Sequence, residues 1–205
     1  MFTINAINLL KLGAAMGISM CSSAAFSASS SQLYFGLGNA TFDPITAFTQ
    51  GVEDDALALE FGYERRLSSG FVWGAGLNWY AYSDNNGFSV QTESVFGNVA
   101  FSDSSASGIS GFGELGYSYT PSKKIELSLV AGYELMLSSS RSIGNCNNCP
   151  SEDIDTGAYF SPKVVYTFDN MWTLGLSYSG YVSADVESLI TLQVGKRFSF
   201  LGGTI

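Results

Sequence analysis

The residues best equipped for chemistry in this chain are few. Cys146-Asn147-Asn148-Cys149 has the spacing of a redox pair or of half a zinc site. A zinc centre takes four ligands, yet the sequence has Cys 3 and His 0, and the third cysteine is Cys21 near the start. A redox pair opens a helix in a βαβ unit, whereas this one lies in a Ser/Asn/Asp-rich stretch ending at Pro150. In an exported chain the reading is a loop disulfide between Cys146 and Cys149. Gly111-Phe112-Gly113-Glu114-Leu115-Gly116 matches the dinucleotide fingerprint in spacing. No helix pattern follows it, so that reading fails for want of context, and the glycines are expected to relieve crowding where a strand curves. Without histidine the commonest general base and metal ligand are missing. No paired carboxylates mark another site. The expectation is a non-enzyme with no metal and no cofactor.

Composition narrows the class. Hydrophobic residues are 46% and charged ones 13%, against about 25% charged in ordinary soluble domains. A chain this apolar, with 14% aromatics, is not disordered. The balance of 18 Asp+Glu against 9 Lys+Arg, a net charge of −9, excludes the basic footprint of a nucleic-acid binder. At 205 residues one domain is expected. Lys11, an apolar run over 12–21 and the small residues around Ala25-Phe26-Ser27 follow the order of a secretory signal peptide. The apolar run is too short for a membrane helix. Residues 1–28 are read as a cleaved signal and 29–205 as the mature domain. A lipoprotein reading of Ile18-Ser19-Met20-Cys21 fits less well, because Met precedes the cysteine.

From residue 31 onward the chain alternates with period two, the mark of strands. Eight are predicted, at about 32–42, 56–67, 71–82, 109–120, 124–138, 156–168, 171–181 and 188–200. One parity carries Leu33, Phe35 and Leu37, then Leu57, Leu59 and Phe61, and likewise along every strand. The other carries Gly, Ser, Thr and Tyr with isolated charges. A soluble sandwich would show water a charged, bulky face. Small polar residues suit the inside of a narrow barrel and apolar ones suit lipid. Tight turns at Ser68-Ser69-Gly70, Pro121-Ser122-Lys123 and Asp169-Asn170 alternate with longer links at about 43–55, 83–108, 139–155 and 182–187. Short turns on one side and long loops on the other complete the pattern of an eight-stranded antiparallel up-and-down transmembrane β-barrel. The link at 83–108 is open to three readings: a loop, an extended hairpin or two extra strands.

Charge follows the same division. Glu60, Glu64, Glu114, Glu126 and Glu134 fall on the inward parity with Lys163, Arg197 and Arg66. A network of ion pairs plugging the lumen is preferred over an ion path, because an unpaired buried charge costs several kcal/mol and eight strands leave room only for side chains. Most of the remaining acids fall in the longer links, Glu53-Asp54-Asp55 and Glu152-Asp153-Ile154-Asp155 most densely. No calcium-loop spacing is present there, and solvation of the loops is the plainer reading. Acidic polymers are disfavoured as ligands.

With this pattern the chain resembles the small outer-membrane β-barrel proteins of Gram-negative bacteria, the OmpA/OmpX-like and opacity-type family. The resemblance covers the whole mature chain as pattern. It is sharper at Gln193, Gly195, Phe198 and Phe200, which look like the family's C-terminal assembly signal, read by the barrel assembly machinery; the tail 201–205 departs from it. The resemblance implies a monomer in the cell outer membrane, among lipid and lipopolysaccharide, with an envelope-structural or adhesin-like role through acidic external loops and a surface ligand left open. Lipid-modifying and protease barrels of related architecture use a histidine that this chain lacks. The alternatives are a narrow, porin-like pore for small solutes and a soluble periplasmic barrel binding an apolar ligand.

Overall fold

The computed structural model describes residues 29–50, 52–84, 104–143, 154–182 and 184–198, without the side chains of 49–50, 83–84, 104–105 and 141–143. Residues 1–28, expected to be a signal peptide, and Cys146, Cys149 and Phe200 lie outside the described residues. Eight strands follow in order: β1 (Ser30–Phe42), β2 (Val52–Arg66), β3 (Phe71–Asp84), β4 (Ser104–Tyr119), β5 (Ile125–Ile143), β6 (Ala158–Thr167), β7 (Trp172–Val182) and β8 (Val186–Phe198). A short helix, α1 (Pro44–Gln50), lies between the first two strands. Each strand pairs antiparallel with its chain neighbours, and β1 pairs with β8 from Ser31↔Phe198 to Phe42↔Val186. The sheet is a closed, eight-stranded, up-and-down barrel.

Closure explains why alternation runs through the sequence so cleanly. Successive side chains point to opposite faces of a strand, and here one face looks into a narrow lumen. Leu37, Phe61, Leu115, Leu129, Leu176 and Leu192 are each more than half exposed on the outside. Glu60, Asn78, Glu114, Ser128, Ser177 and Thr191 are buried on the inside. An apolar outside around a polar inside, with no free edge, is the arrangement of a membrane-spanning barrel. The 11 residues of β7, at ~3.3 Å each and tilted ~40°, rise about 28 Å, enough to cross an apolar band of ~25 Å. A soluble barrel with an apolar ligand inside would show the reverse polarity.

The turns at one end are tight. Gly70 N–H reaches Leu67 O at 3.0 Å, and Met171 N–H reaches Phe168 O at 2.9 Å. Both turns need a left-handed residue at their last position. Gly70 has φ 85°, and Met171, unusually for a residue with a Cβ, has φ 67°.

At the other end the strands differ from expectation. β2 starts at Val52 instead of 56, β4 at Ser104 instead of 109, and β5 runs to Ile143 instead of 138. Register shifts occur there between Thr41 and Phe42, Val52 and Ala56, and Ile109 and Ser110. Such bulges break period two while the backbone ladder continues, so the pattern fades before the strand does. Of the three readings of 83–108, insertion of two strands into the wall is overturned, because β3 and β4 pair directly from Phe71↔Tyr117 to Tyr82↔Ala106. The link at 182–187 also shrinks to three residues between β7 and β8. Helix α1 was not expected. It is capped by Asp43, whose Oδ2 accepts the Thr46 amide at 2.8 Å and hydroxyl at 2.7 Å, with Pro44 in the first turn.

Candidate functional site

The lumen is built from the inward residues of all eight strands, and its lower part, towards the short turns, is ionic. Arg197 on β8 donates to Glu126 on β5 at 2.7 Å. The same carboxylate contacts Arg66 on β2, and Arg66 in turn donates to Glu64 at 3.1 Å. Lys163 on β6 lies 3.7 Å from Glu64 and bonds Glu114 on β4. The six groups form one chain of alternating sign: Arg197, Glu126, Arg66, Glu64, Lys163, Glu114. All three inner cations are consumed. Alternation matters because a bare charge in this dry interior would cost several kcal/mol.

Two inner carboxylates remain outside that chain, and neutral donors hold them. Glu60 accepts the Tyr34 phenol at 3.0 Å and the Gln193 amide at 3.1 Å. Glu134, with no exposed surface, accepts four bonds. They come from Asn78 at 3.0 Å, Tyr80 at 2.7 Å, Tyr181 at 2.5 Å and the Ser110 hydroxyl. Tyr159 likewise donates to Glu114 at 3.0 Å. Tyrosine therefore serves three of the five inner acids. The residue-type signal for this was present in the sequence, as aromatic rings on the parity otherwise reserved for small residues.

Room for those rings comes from glycine. Gly62 lies opposite Tyr34 and Gly132 opposite Tyr159 across adjacent strands. A Cβ at either glycine would run into the tyrosine ring. Gly76 makes the same allowance for Phe112. Within the fingerprint-like run, Gly116 is hemmed in by Leu129 and Val130, whereas Gly113 faces open space outside. Relief of crowding therefore applies to Gly116 and not to Gly113.

Above Glu134 the lumen turns apolar. Tyr80, Met136 and Tyr181 lead into a cluster of Phe42, Ala47, Val52, Ala56, Tyr82, Ala106, Ile154, Val186 and Leu189. Phe42 and Tyr82 stack at 4.8 Å. Three links contribute: α1 through Ala47, the stretch before β6 through Ile154, and the short β7–β8 connection. They are tied by Asp43 N–H to Asp185 O at 2.7 Å and Asp155 N–H to the Asp185 carboxylate at 2.8 Å. Asp43 and Asp185, read from sequence as solvated loop acids, thus hold backbone.

The rim outside this cap is acidic. Glu53, Asp54, Asp55, Asp155 and Glu187 are exposed there. Beside them α1 turns Ile45 and Phe48 outward, 77% and 71% exposed. The terminal-strand residues serve the wall as well. Gln193 also bonds Ser177 at 3.3 Å, Gly195 leaves room for Thr173 and Tyr34, and Phe198 pairs with Ser31. Among the described residues no group of three or more His, Cys, Asp or Glu is placed to hold a metal ion.

The class these features define is a membrane-spanning, eight-stranded barrel whose lumen is filled by its own side chains. No family model matches the chain, and no curated protein matches it. Solved structures share its outline. A de novo designed transmembrane β-barrel gives a TM-score of 0.46 at 13% identity, over 84% of this chain and 98% of the design. Neisserial surface protein A gives 0.45 at 13% identity, over 85% and 98%. Ail, the attachment invasion locus protein of Yersinia pestis, gives 0.45 at 15% identity, over 83% and 97%. The likeness is one of fold.

Proposed function

We propose that this chain is an integral outer-membrane barrel of a Gram-negative envelope, non-enzymatic, acting through its loop end as an envelope-structural or surface-interaction protein. The observation that carries this reading is the filled lumen. An alternating ion chain below and an apolar cap above occupy the interior, so the chemistry left for partners is on the rim. That rim is acidic with two apolar knobs, Ile45 and Phe48, which suits a basic partner carrying apolar residues. In this orientation the tight turns face the periplasm. A cleaved signal at 1–28 exports the chain, the motif at Gln193, Gly195, Phe198 and Phe200 brings it to the assembly machinery, and the Cys146–Cys149 disulfide forms in the oxidising compartment.

The test is binding of whole cells that display the protein to immobilised basic protein or matrix. Neutralising Glu53, Asp54 and Asp55 together, or trimming residues 89–101 or 142–152, is expected to reduce retention severalfold. Unchanged binding in all three variants would count against a surface role. A second reading, a narrow pore, has one observation in its favour. The interior hydroxyls of Ser128, Ser161, Thr173 and Thr191 have no hydrogen-bond partner among the described residues, which leaves polar lining for water. Planar-bilayer recordings separate the two. The filled barrel should show no stable conductance, and a steady single-channel current would establish the pore.

A further inference from the structure

The end of the barrel with the tight turns carries a collar that the lumen does not use. Its outward rings stack in pairs at the foot of the apolar belt: Tyr63 with Trp73 at 5.4 Å, Phe71 with Tyr117 at 6.0 Å, and Tyr166 with Phe168 at 4.9 Å. Aromatic rings of this kind mark the level where hydrocarbon gives way to headgroups. Two cations stand among them on the outer face. Arg65 is in register with Trp73 on one side and Ser31 on the other. Lys196 is in register with Trp172 and Leu33, and its ammonium sits 5.3 Å from the Trp172 ring centroid. The pair therefore flanks β1 on the lipid side.

Their state differs from that of the inner cations and of Lys124; Lys123, exposed in a tight turn, also has no ion pair among the described residues. Arg66, Lys163 and Arg197 are consumed by inner carboxylates, and Lys124 is held by Asp169 at 2.9 Å. Arg65 has no ion pair among the described residues, and Lys196 bonds only a neutral carbonyl, Asn170 O, at 2.6 Å. An ammonium has three donors, so two are left. At the opposite rim the exposed charges of described side chains are all acidic. Cations at the headgroup level, continuous with a lipid-facing belt, meet phosphate.

We propose that Arg65 beside Trp73 and Lys196 beside Trp172, on either side of β1, form a binding surface for the phosphate of anionic phospholipid in the leaflet at the tight-turn end. The surface rests on the membrane-spanning fold and is independent of any role for the loops. Its selectivity is for anionic over zwitterionic headgroups, because an unpaired guanidinium and ammonium add to the belt an attraction for net negative charge.

The two tryptophans are built-in reporters. A full-length Trp79→Phe protein, which removes the distant ring, is folded into phosphatidylcholine vesicles. These contain the same minor fraction of either brominated-tail phosphatidylglycerol or brominated-tail phosphatidylcholine. The expected result is stronger quenching by the brominated phosphatidylglycerol, reflecting local enrichment of roughly fivefold for each cation engaged, and falling as salt is raised. Arg65→Gln with Lys196→Gln should equalise the two lipids, while Lys123→Gln with Lys124→Gln should preserve the preference. Equal quenching of the Trp79→Phe protein by both lipids at low salt overturns the proposal, whether or not the neutral variants fold. So does a preference that survives loss of Arg65 and Lys196.

Discussion

At the residue scale the lumen separates two ways of keeping a carboxylate out of water. Glu64, Glu114 and Glu126 are paired with cations, whereas Glu134 relies on Ser110, Asn78, Tyr80 and Tyr181. Removing the acceptor strands four donors in a dry site. Glu134→Ala should therefore cost about 3–5 kcal/mol, and Glu134→Gln less, about 1–2 kcal/mol, since one oxygen is retained. Urea-unfolding midpoints in vesicles would rank them, and an alanine variant as stable as the parent would deny Glu134 this role. Asp43 gives a pH dependence of known sign. The Thr46 hydroxyl, and then its amide, hold the Asp43 carboxyl below the usual carboxylate range. A carboxyl with a depressed folded pKa stabilises fully above its unfolded value of about 3.9 and loses that contribution as pH falls through the folded one. Asp43→Ala should thus speed amide exchange in α1 at pH 7, and the difference from the parent should vanish in acid below that window. Identical exchange at pH 7 would mean that the cap carries no weight.

At the scale of elements, the barrel depends on where glycine stands. Gly62→Val would drive a branched Cβ into the Tyr34 ring and should cost about 1–3 kcal/mol. Gly113→Val, with open space outside, should be near neutral. Equal effects at the two positions would refute the packing account. The turns offer a matched pair. Met171→Gly relieves a left-handed backbone and should gain about 0.5–1 kcal/mol, while Gly70→Met should lose a similar amount or more; both are readable as shifts of the urea midpoint. Much of this wall was legible in the sequence. Strict alternation put Glu60, Glu64, Glu114, Glu126, Glu134, Lys163 and Arg197 on one face, since a one-residue slip would turn every side chain over. What alternation does not contain is the partner. Glu134 meets residues of β3, β4 and β7, and those meetings are set by register and curvature around the closed barrel. The cap was hidden for a different reason. Phe42, Ala47, Val52, Ile154 and Val186 lie at bulges or outside regular strands, where no period survives to reveal them. Helix α1 did leave a signal, Asp43-Pro44 followed by Thr46, but seven residues are too few to show a helical stripe.

The whole molecule is polar along its axis. Arg65, Lys123, Lys124 and Lys196 gather at the tight-turn end with a single exposed acid, Asp169, among the described residues, and the other exposed acids gather at the opposite end. A folded barrel of this kind should migrate faster in cold dodecyl sulfate gels than after boiling, and should leave membranes only with detergent. A mature chain that stays in solution, or that shows one band under both conditions, would overturn the membrane assignment.

The seam between β1 and β8 has a consequence in time. Every other pairing in the wall joins neighbours along the chain and can form as a hairpin soon after both strands exist. This one needs the last strand in place, and it joins residues more than a hundred positions apart, Ser31 with Phe198. Until then the incomplete wall has two raw edges, a template for misassociation. The same arrival brings Gln193 to Glu60 and Arg197 to Glu126. Two carboxylates on β2 and β5 therefore stand without these partners until β8 arrives, which argues for water around the inner face while the wall is still open. Sealing the seam and drying the interior become a single late event, and a chain halted before residue 193 would have completed neither.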